Sequence, residues 1–378
     1  MRLCHIVPSL EERYGGPSQS VRALSHALAQ NGHQVDLLAT ATQVKDLAVA
    51  SAGRLRTAIY PRGWPHRFCP SRGLRRALAA TDADIIHHHS LWLRTLHYAH
   101  QRAATQRRPL IISPRGMMSA WAWQHRSWRK KFASRYVHPG ALAAAAGWHA
   151  TSTAEAREIR DLGFPQPICV APNAVNLPLP AAQDNAAAHW HAVCPESKKR
   201  PVALFYSRFH AKKRARELID LWCRHGPEDW LLLLVGIPQE DTPASLEAYA
   251  RQLPGRTHVA AFSGLGQPAP YAVATLFLLP SHNENFGLVI AEAMAHRVPV
   301  LVTDTTPWSE VARLGLGWCV PWAEYRHALK AATTESRTQL TQRGAHAQSW
   351  VAENFSWDRS ARLLTTFYED LHLHADGR

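Results

Sequence analysis

Residues 275–312, TLFLLPSHNENFGLVIAEAMAHRVPVLVTDTTPWSEVA, restrict the fold more than any other stretch of this 378-residue chain. Leu276 to Leu279 is a short unbroken apolar run closed by Pro280, the pattern of a strand buried on both faces of a parallel sheet. Asn283, Glu284, Asn285 and Gly287 make a polar turn, Leu288 to Ala295 are good helix formers, and Val298 to Val302 is a second β-branched run ended by Asp304. The order is strand, loop, helix, strand. Such units belong to α/β folds and place ligands at the carboxyl ends of their strands.

Two carboxylates ride on this unit. If the helix opens near Phe286, its first N–H groups form an anion site suited to a phosphate, with Glu284 just before it. Glu292 lies roughly 9 Å further along at 1.5 Å per residue. It stands among Leu288, Val289, Ile290, Ala291, Ala293, Met294 and Ala295, where a carboxylate is costly unless something hydrogen-bonds to it. A sugar nucleotide has this order of parts, with the hexose at Glu284, the diphosphate at the helix start and the ribose hydroxyls at Glu292.

The run Ser281-His282-Asn283-Glu284-Asn285-Phe286-Gly287-Leu288, with Glu292-Ala293-Met294-Ala295 and Pro299-Val300, resembles the E-x7-E signature of retaining GT-B glycosyltransferases. Within them it is most similar to family four, which includes bacterial enzymes of lipopolysaccharide and exopolysaccharide synthesis. The resemblance covers nearly the whole chain and implies an α/β GT-B fold, two facing doubly wound Rossmann-like domains with an interdomain cleft. Residues 1–178 would form the acceptor-side domain, joined by a C-terminal crossover helix at 357–378. Residues 179–198, Pro- and Ala-rich, read as a linker, and 199–356 as the nucleotide-sugar domain.

Further residues fall into place on this reading. Arg208 and Lys213, leaving the strand Val202–Tyr206, resemble the family's R-x4-K turn, which clamps the donor diphosphate; two cations there suit a dianion without a metal. Arg214 stands where a glycine is usual, Arg115 where a donor-contacting histidine is usual, and Ala174 replaces the glycine of a P-N-G-V turn; Arg297 also departs from the family pattern. Arginine at 115 suits a phosphate or carboxylate. By resemblance, Gly15, Gly16, Arg115 and Asn173 join Glu292, Asn285, Phe286, Gly287 and Leu288 on the donor, with Glu284, Arg208 and Lys213 as the catalytic set.

Other patterns carry less. Asp82-Ala83-Asp84 precedes a strand rather than ending one, so it reads as a turn and not a metal site. His87-His88-His89 lie on a strand, where adjacent side chains alternate faces, so the three do not converge on one ion. Neither a metal nor a cofactor is expected. Ser152 and Glu155 read as a capping box. The six scattered cysteines fit reduced thiols in a cytoplasmic protein, and Met1–Pro8 is too short and too soon interrupted for a signal peptide.

Charge adds one more expectation. Residues 51–150 hold seventeen Lys and Arg against two acids, a net +15, while the whole chain carries +14. Trp121, His125, Trp128, Phe132 and Tyr136 share one helical stripe beside Arg126, Arg129, Lys130 and Lys131, which suits an anionic membrane surface at the inner membrane. The expected substrates are a nucleoside diphosphate sugar and a lipid-linked or growing glycan acceptor. A same-fold phosphosugar synthase or nucleotide-sugar epimerase is the rival reading. A nucleic-acid binder would explain the charge, but no nucleic-acid-binding module accompanies it, so nucleic acid is not an expected partner.

Overall fold

The apolar runs of the sequence become the central strands of two sheets. The computed structural model describes residues 1–11, 16–43, 47–118, 123, 132–255 and 258–376. The chain divides into unit 1, Met1–Ala174 with Trp357–Arg378, and unit 2, Val175–Ser356.

In unit 1 the strands are β1 (Arg2–Ile6), β2 (Gln34–Ala41), β3 (Ala48–Ala52), β4 (Leu55–Pro61), β5 (Ile85–His89), β6 (Leu110–Ser113), β7 (Gly147–Ala150) and β8 (Ile168–Val170). They form one sheet in the order β3-β4-β2-β1-β5-β6-β7-β8, parallel throughout except for the β3–β4 hairpin. Period-2 alternation splits its side chains between two apolar layers. Cys4, Ile6, Ile86 and Ile112 face one layer; Leu3, Val7, Ile85 and Ile111 face the other, with Ala361, Leu364 and Tyr368 of the helix Trp357–Asp376.

Unit 2 has β9 (Val202–Tyr206), β10 (Leu231–Gly236), β11 (His258–Ser263), β12 (Leu276–Leu279), β13 (Val300–Thr303) and β14 (Gly317–Val320). Every pairing is parallel, in the order β11-β10-β9-β12-β13-β14. The residues of β12 and β13 are fully buried, as an apolar run covered on both faces must be.

Several readings of the sequence need correction. Most of the stretch expected as a linker, 179–198, is the helix Pro180–Val193, whose Trp190 is fully buried in the unit 2 core and donates from Nε1 to the Pro268 carbonyl at 2.8 Å. Proline at its first turn supplied the helix start that a Pro-rich stretch obscures. Ser152 does cap the helix Thr153–Asp161, accepting from the Glu155 N–H at 3.1 Å. Glu155 does not close a reciprocal box on Ser152; its carboxylate accepts from the N–H groups of Gly116 and Thr151 and from the Thr151 hydroxyl. Most of the aromatic and basic stripe at 121–136, and Gly15, lie outside the described residues; Phe132 and Tyr136 are exposed.

Candidate functional site

Topology decides where unit 2 can bind a ligand. Strands β9 and β12 are neighbours although β10 and β11 lie between them in sequence, so the sheet reverses order there. In doubly wound sheets the crevice at that reversal, at the carboxyl ends of the strands, is the ligand position. The turn after β9 carries Arg208 to Arg214, and the turn after β12 carries Ser281 to Gly287. The His282 N–H donates to the Lys212 carbonyl at 2.8 Å, which ties the two turns together.

Lys213 and Glu284 meet there as an ion pair, each side chain about nine-tenths buried. Ser281 donates its hydroxyl to the same carboxylate oxygen at 2.6 Å. Burial alone would raise the Glu284 pKa, but Lys213, Ser281 and Lys212 outweigh it and hold the carboxyl below its ordinary range. The expected pair of cations is thus resolved into two kinds. Lys213 is buried and paired with Glu284, because a buried ammonium needs a partner. Arg208 is exposed and makes no ion pair among the described residues.

The helix after this turn starts at Leu288 rather than Phe286, and Gly287 is its N-cap with φ +76°. That left-handed conformation suits glycine, and a Cβ there would meet Ile290 Cδ1 at 2.9 Å. No side chain caps the helix, so none occupies its first N–H groups, as an anion site would require. Phe286 has a core role: its ring is buried against Trp308 and Phe355, and only its backbone remains for a ligand. Asn285 and Leu288 are half-buried beside it.

Glu292 finds the hydrogen bond its apolar setting demands. Tyr271 donates from its hydroxyl to Glu292 Oε2 at 2.7 Å. Burial raises the Glu292 pKa above the usual carboxylate value, with the Tyr271 bond opposing, and burial also pushes the Tyr271 phenol well up, so it stays a donor. The role of Tyr271 escaped the sequence reading, its only signal a polar atom within an otherwise apolar stretch, and Ser281 was read as part of the signature without a role of its own.

Unit 1 has the same reversal, between β1 and β5. His5 pairs with His87 in register, and His89 with Ser113. Adjacent histidines do alternate: His87 and His89 share a face, and His88 turns away to Thr95 and the Ser90 carbonyl. The sequence reading missed His5, which joins His87 and His89 from the next strand, and the three offer nitrogens within 4.8 Å of one another.

The hydrogen-bond partners fix every proton in this set. His149 Nε2 faces the Ala171 carbonyl at 2.8 Å and must donate. Its Nδ1 therefore accepts from Ser113 Oγ at 2.7 Å, Ser113 accepts from His87 Nε2 at 2.7 Å, and His87 Nδ1 accepts from the Tyr368 hydroxyl at 2.6 Å. Arg115 Nη2, which can only donate, reaches His89 Nδ1 at 3.0 Å, so His89 Nε2 donates to His5 Nδ1 at 3.1 Å. The imidazoles are neutral: burial holds His5 and His149 down to about 3 and His87 and His89 well below their ordinary value. A lone pair on each of the three clustered histidines is already taken, so the set fits a metal poorly.

Arg115 also donates from Nη1 to Asn173 Oδ1 at 2.7 Å, bringing together two residues expected at the site. Gly16 opens the helix Gly16–Gln30, with no atom of the described residues within 4 Å of its Cβ position.

The family model for Glycosyltransferase Family 4 matches residues 14–178, and that for Glycosyl transferases group 1 matches residues 188–335. A lipopolysaccharide core biosynthesis mannosyltransferase of Rhizobium meliloti (strain 1021) is 31% identical over 109 residues, 28% of this chain and 31% of that protein. A D-inositol 3-phosphate glycosyltransferase of Xylanimonas cellulosilytica is 30% identical over 180 residues, 44% of this chain and 42% of that protein. The chain therefore matches less than half the length of either relative. Among solved structures, the Anabaena protein HepE in complex with UDP and glucose superimposes with a TM-score of 0.76 at 16% identity, covering 98% of this chain and 100% of that one. Two doubly wound units of this kind, each matched by its own family model, make the chain a member of the GT-B glycosyltransferases of the family-four and group-one type.

Proposed function

We propose that the protein transfers a sugar, with retention, from a nucleoside diphosphate sugar to a lipid-linked or growing glycan acceptor in cell-surface polysaccharide synthesis. The observation that carries this is the buried Lys213–Glu284 pair at the sheet reversal of unit 2, next to an uncapped helix start and a half-buried Glu292. Glu292 holds the ribose hydroxyls, and Glu284 holds donor-sugar hydroxyls. Arg208, Lys213 and the helix start stabilise the diphosphate as the anomeric C–O bond breaks and charge develops on the leaving oxygen. The acceptor oxygen bonds to the same face of the anomeric carbon, and its proton passes to the leaving phosphate. No divalent ion is required on this reading, since two cations and the helix start take its part.

HepE with UDP and glucose supports a nucleotide-sugar donor, and the Rhizobium relative supports a lipopolysaccharide acceptor. The net +15 of residues 51–150 supports attachment to an anionic membrane face at the inner membrane; no helix among the described residues is long and apolar enough to cross one. The test is calorimetric titration of UDP, GDP and ADP into wild type and Glu292→Ala, with donor turnover measured in EDTA. One nucleotide should bind, the variant should bind it about 1.5–3 kcal/mol more weakly, and turnover should survive chelation. Equal affinity in the variant would remove Glu292 from the ribose, and metal-restored turnover would remove the metal-free mechanism.

A further inference from the structure

The buried polar set of unit 1 contains one full charge and no counter-charge in contact. Arg115 donates to two neutral partners, His89 and Asn173, and its Nε–H is buried with no partner among the described residues. No described carboxylate forms an ion pair with it. Glu155, whose field does reach Arg115, accepts instead from Gly116 and Thr151. Burial lowers the guanidinium to about 10, which still leaves it charged at neutral pH. A buried charge with no counter-ion in contact is costly, so the arrangement asks for an anion.

The backbone around it is held in an unfavourable form. Arg115 has φ +56° and Gly116 +80° at the end of β6, and Ser90 and Trp92 have φ +93° and +64° at the end of β5. Strain of this kind in non-glycine residues persists where a site over-determines the conformation. The neutral imidazoles serve the same end. His89 can accept from Arg115 only because its other nitrogen donates to His5, so the guanidinium is aimed without being neutralised. The residue as a whole is only partly buried, which leaves a route to it.

We infer that Arg115 is the receptor for an oxyanion, a carboxylate or a phosphate ester, carried by the sugar substrate that unit 1 handles. This rests on the glycosyltransferase reading for the identity of the substrate, while the anion site itself rests on the geometry of unit 1. A guanidinium with free N–H groups takes either oxyanion in the same fork geometry.

The experiment is a binding panel on the full chain, by calorimetry, in matched pairs: glucuronate against glucose, glucose 6-phosphate against glucose, and UDP-glucuronate against UDP-glucose. Wild type should prefer the acidic member of at least one pair by about tenfold or more, the yield of one charged hydrogen bond. The pair that discriminates distinguishes carboxylate from phosphate and free sugar from donor. Arg115→Met should abolish the preference, and Arg115→Lys should keep part of it. Equal binding of acidic and neutral members by wild type, or no binding of either, overturns the inference, as does a preference that survives in Arg115→Met. Should Arg115→Met fail to fold, the wild-type panel and Arg115→Lys decide. If no nucleotide binds wild type, the glycosyltransferase reading fails, and the glucuronate and glucose 6-phosphate pairs still judge the anion site.

Discussion

The two units share a topology and reverse their sheets at the same point, yet they fill that point with opposite chemistry. Unit 2 sets a charged pair, Lys213 and Glu284, on turns that leave wholly apolar strands. Unit 1 places its polar groups inside the strands themselves: His5, His87, His89, Ser113 and His149 are all buried, with His87, Ser113 and His149 joined to Tyr368 through hydrogen bonds and His5 joined to His89. The contrast separates two ways of building a site. In unit 2 the fold is secured by apolar burial and the site is added at the strand ends. In unit 1 the polar set is part of the sheet core, so its proton positions and the stability of the unit are one question.

Acid should break the comparison most strongly. A histidine whose folded pKa is depressed contributes stability that is fully present above its unfolded value, ordinarily 6.5, and is lost as pH falls toward the folded value of about 3 for His5, His88 and His149. Each contributes a slope of about 1.4 kcal/mol per pH unit in that window. Glu284, held below its ordinary value, loses its contribution only at lower pH. Pulse proteolysis of the full chain at pH 7 and pH 5, read by mass spectrometry, should release unit 1 peptides first. Simultaneous release of both units would mean that the histidine set does not govern unit 1.

Next in size is the ion pair. Lys213→Met leaves Glu284 buried and unpaired and should cost unit 2 about 3–5 kcal/mol in urea unfolding, with catalysis lost as well. Adding Glu284→Gln should recover most of that stability but not the activity. Recovery of neither would place the cost elsewhere in the turn.

Tyr368→Phe removes the donor at the head of the chain through His87, Ser113 and His149, leaving His87 Nδ1 a buried acceptor without a partner. Unit 1 should lose about 1–3 kcal/mol and unit 2 nothing, as resolved by the same proteolysis. The smallest effect has the opposite sign. Non-glycine residues with positive φ are Cys69, Ser90, Trp92, Arg107 and Arg115 in unit 1, against Arg214 and Arg297 in unit 2. Arg107 caps a helix at φ +54°, a conformation that glycine adopts freely. Arg107→Gly should raise the melting temperature of unit 1 by the equivalent of about 1 kcal/mol.

Two departures from the family pattern fall on left-handed positions. Arg214 and Arg297 have φ +56° and +63°, where a glycine carries no Cβ penalty. Arg214 offsets part of that strain by lying over the Trp322 ring at 4.9 Å. Nothing in the structure explains why alanine stands at 174.

What the sequence determined by itself was the pair of parallel sheets and the unit around β12 and β13. Apolar runs, proline stops and helix-forming stretches act over a few residues and can be read directly. Glu292 stood out for the same reason, as a charge in a local setting that does not tolerate it unpaired, and Glu284 by its place in the turn just before that helix. Only the tertiary structure decided their partners, Lys213 and Tyr271, and turned Phe286 inward. It also decided that His5 meets His89 across 84 residues and Tyr368 meets His87 across 281. Those contacts depend on strand order and on the register β1 takes against β5, and register is set by how whole faces pack rather than by any nearby residue.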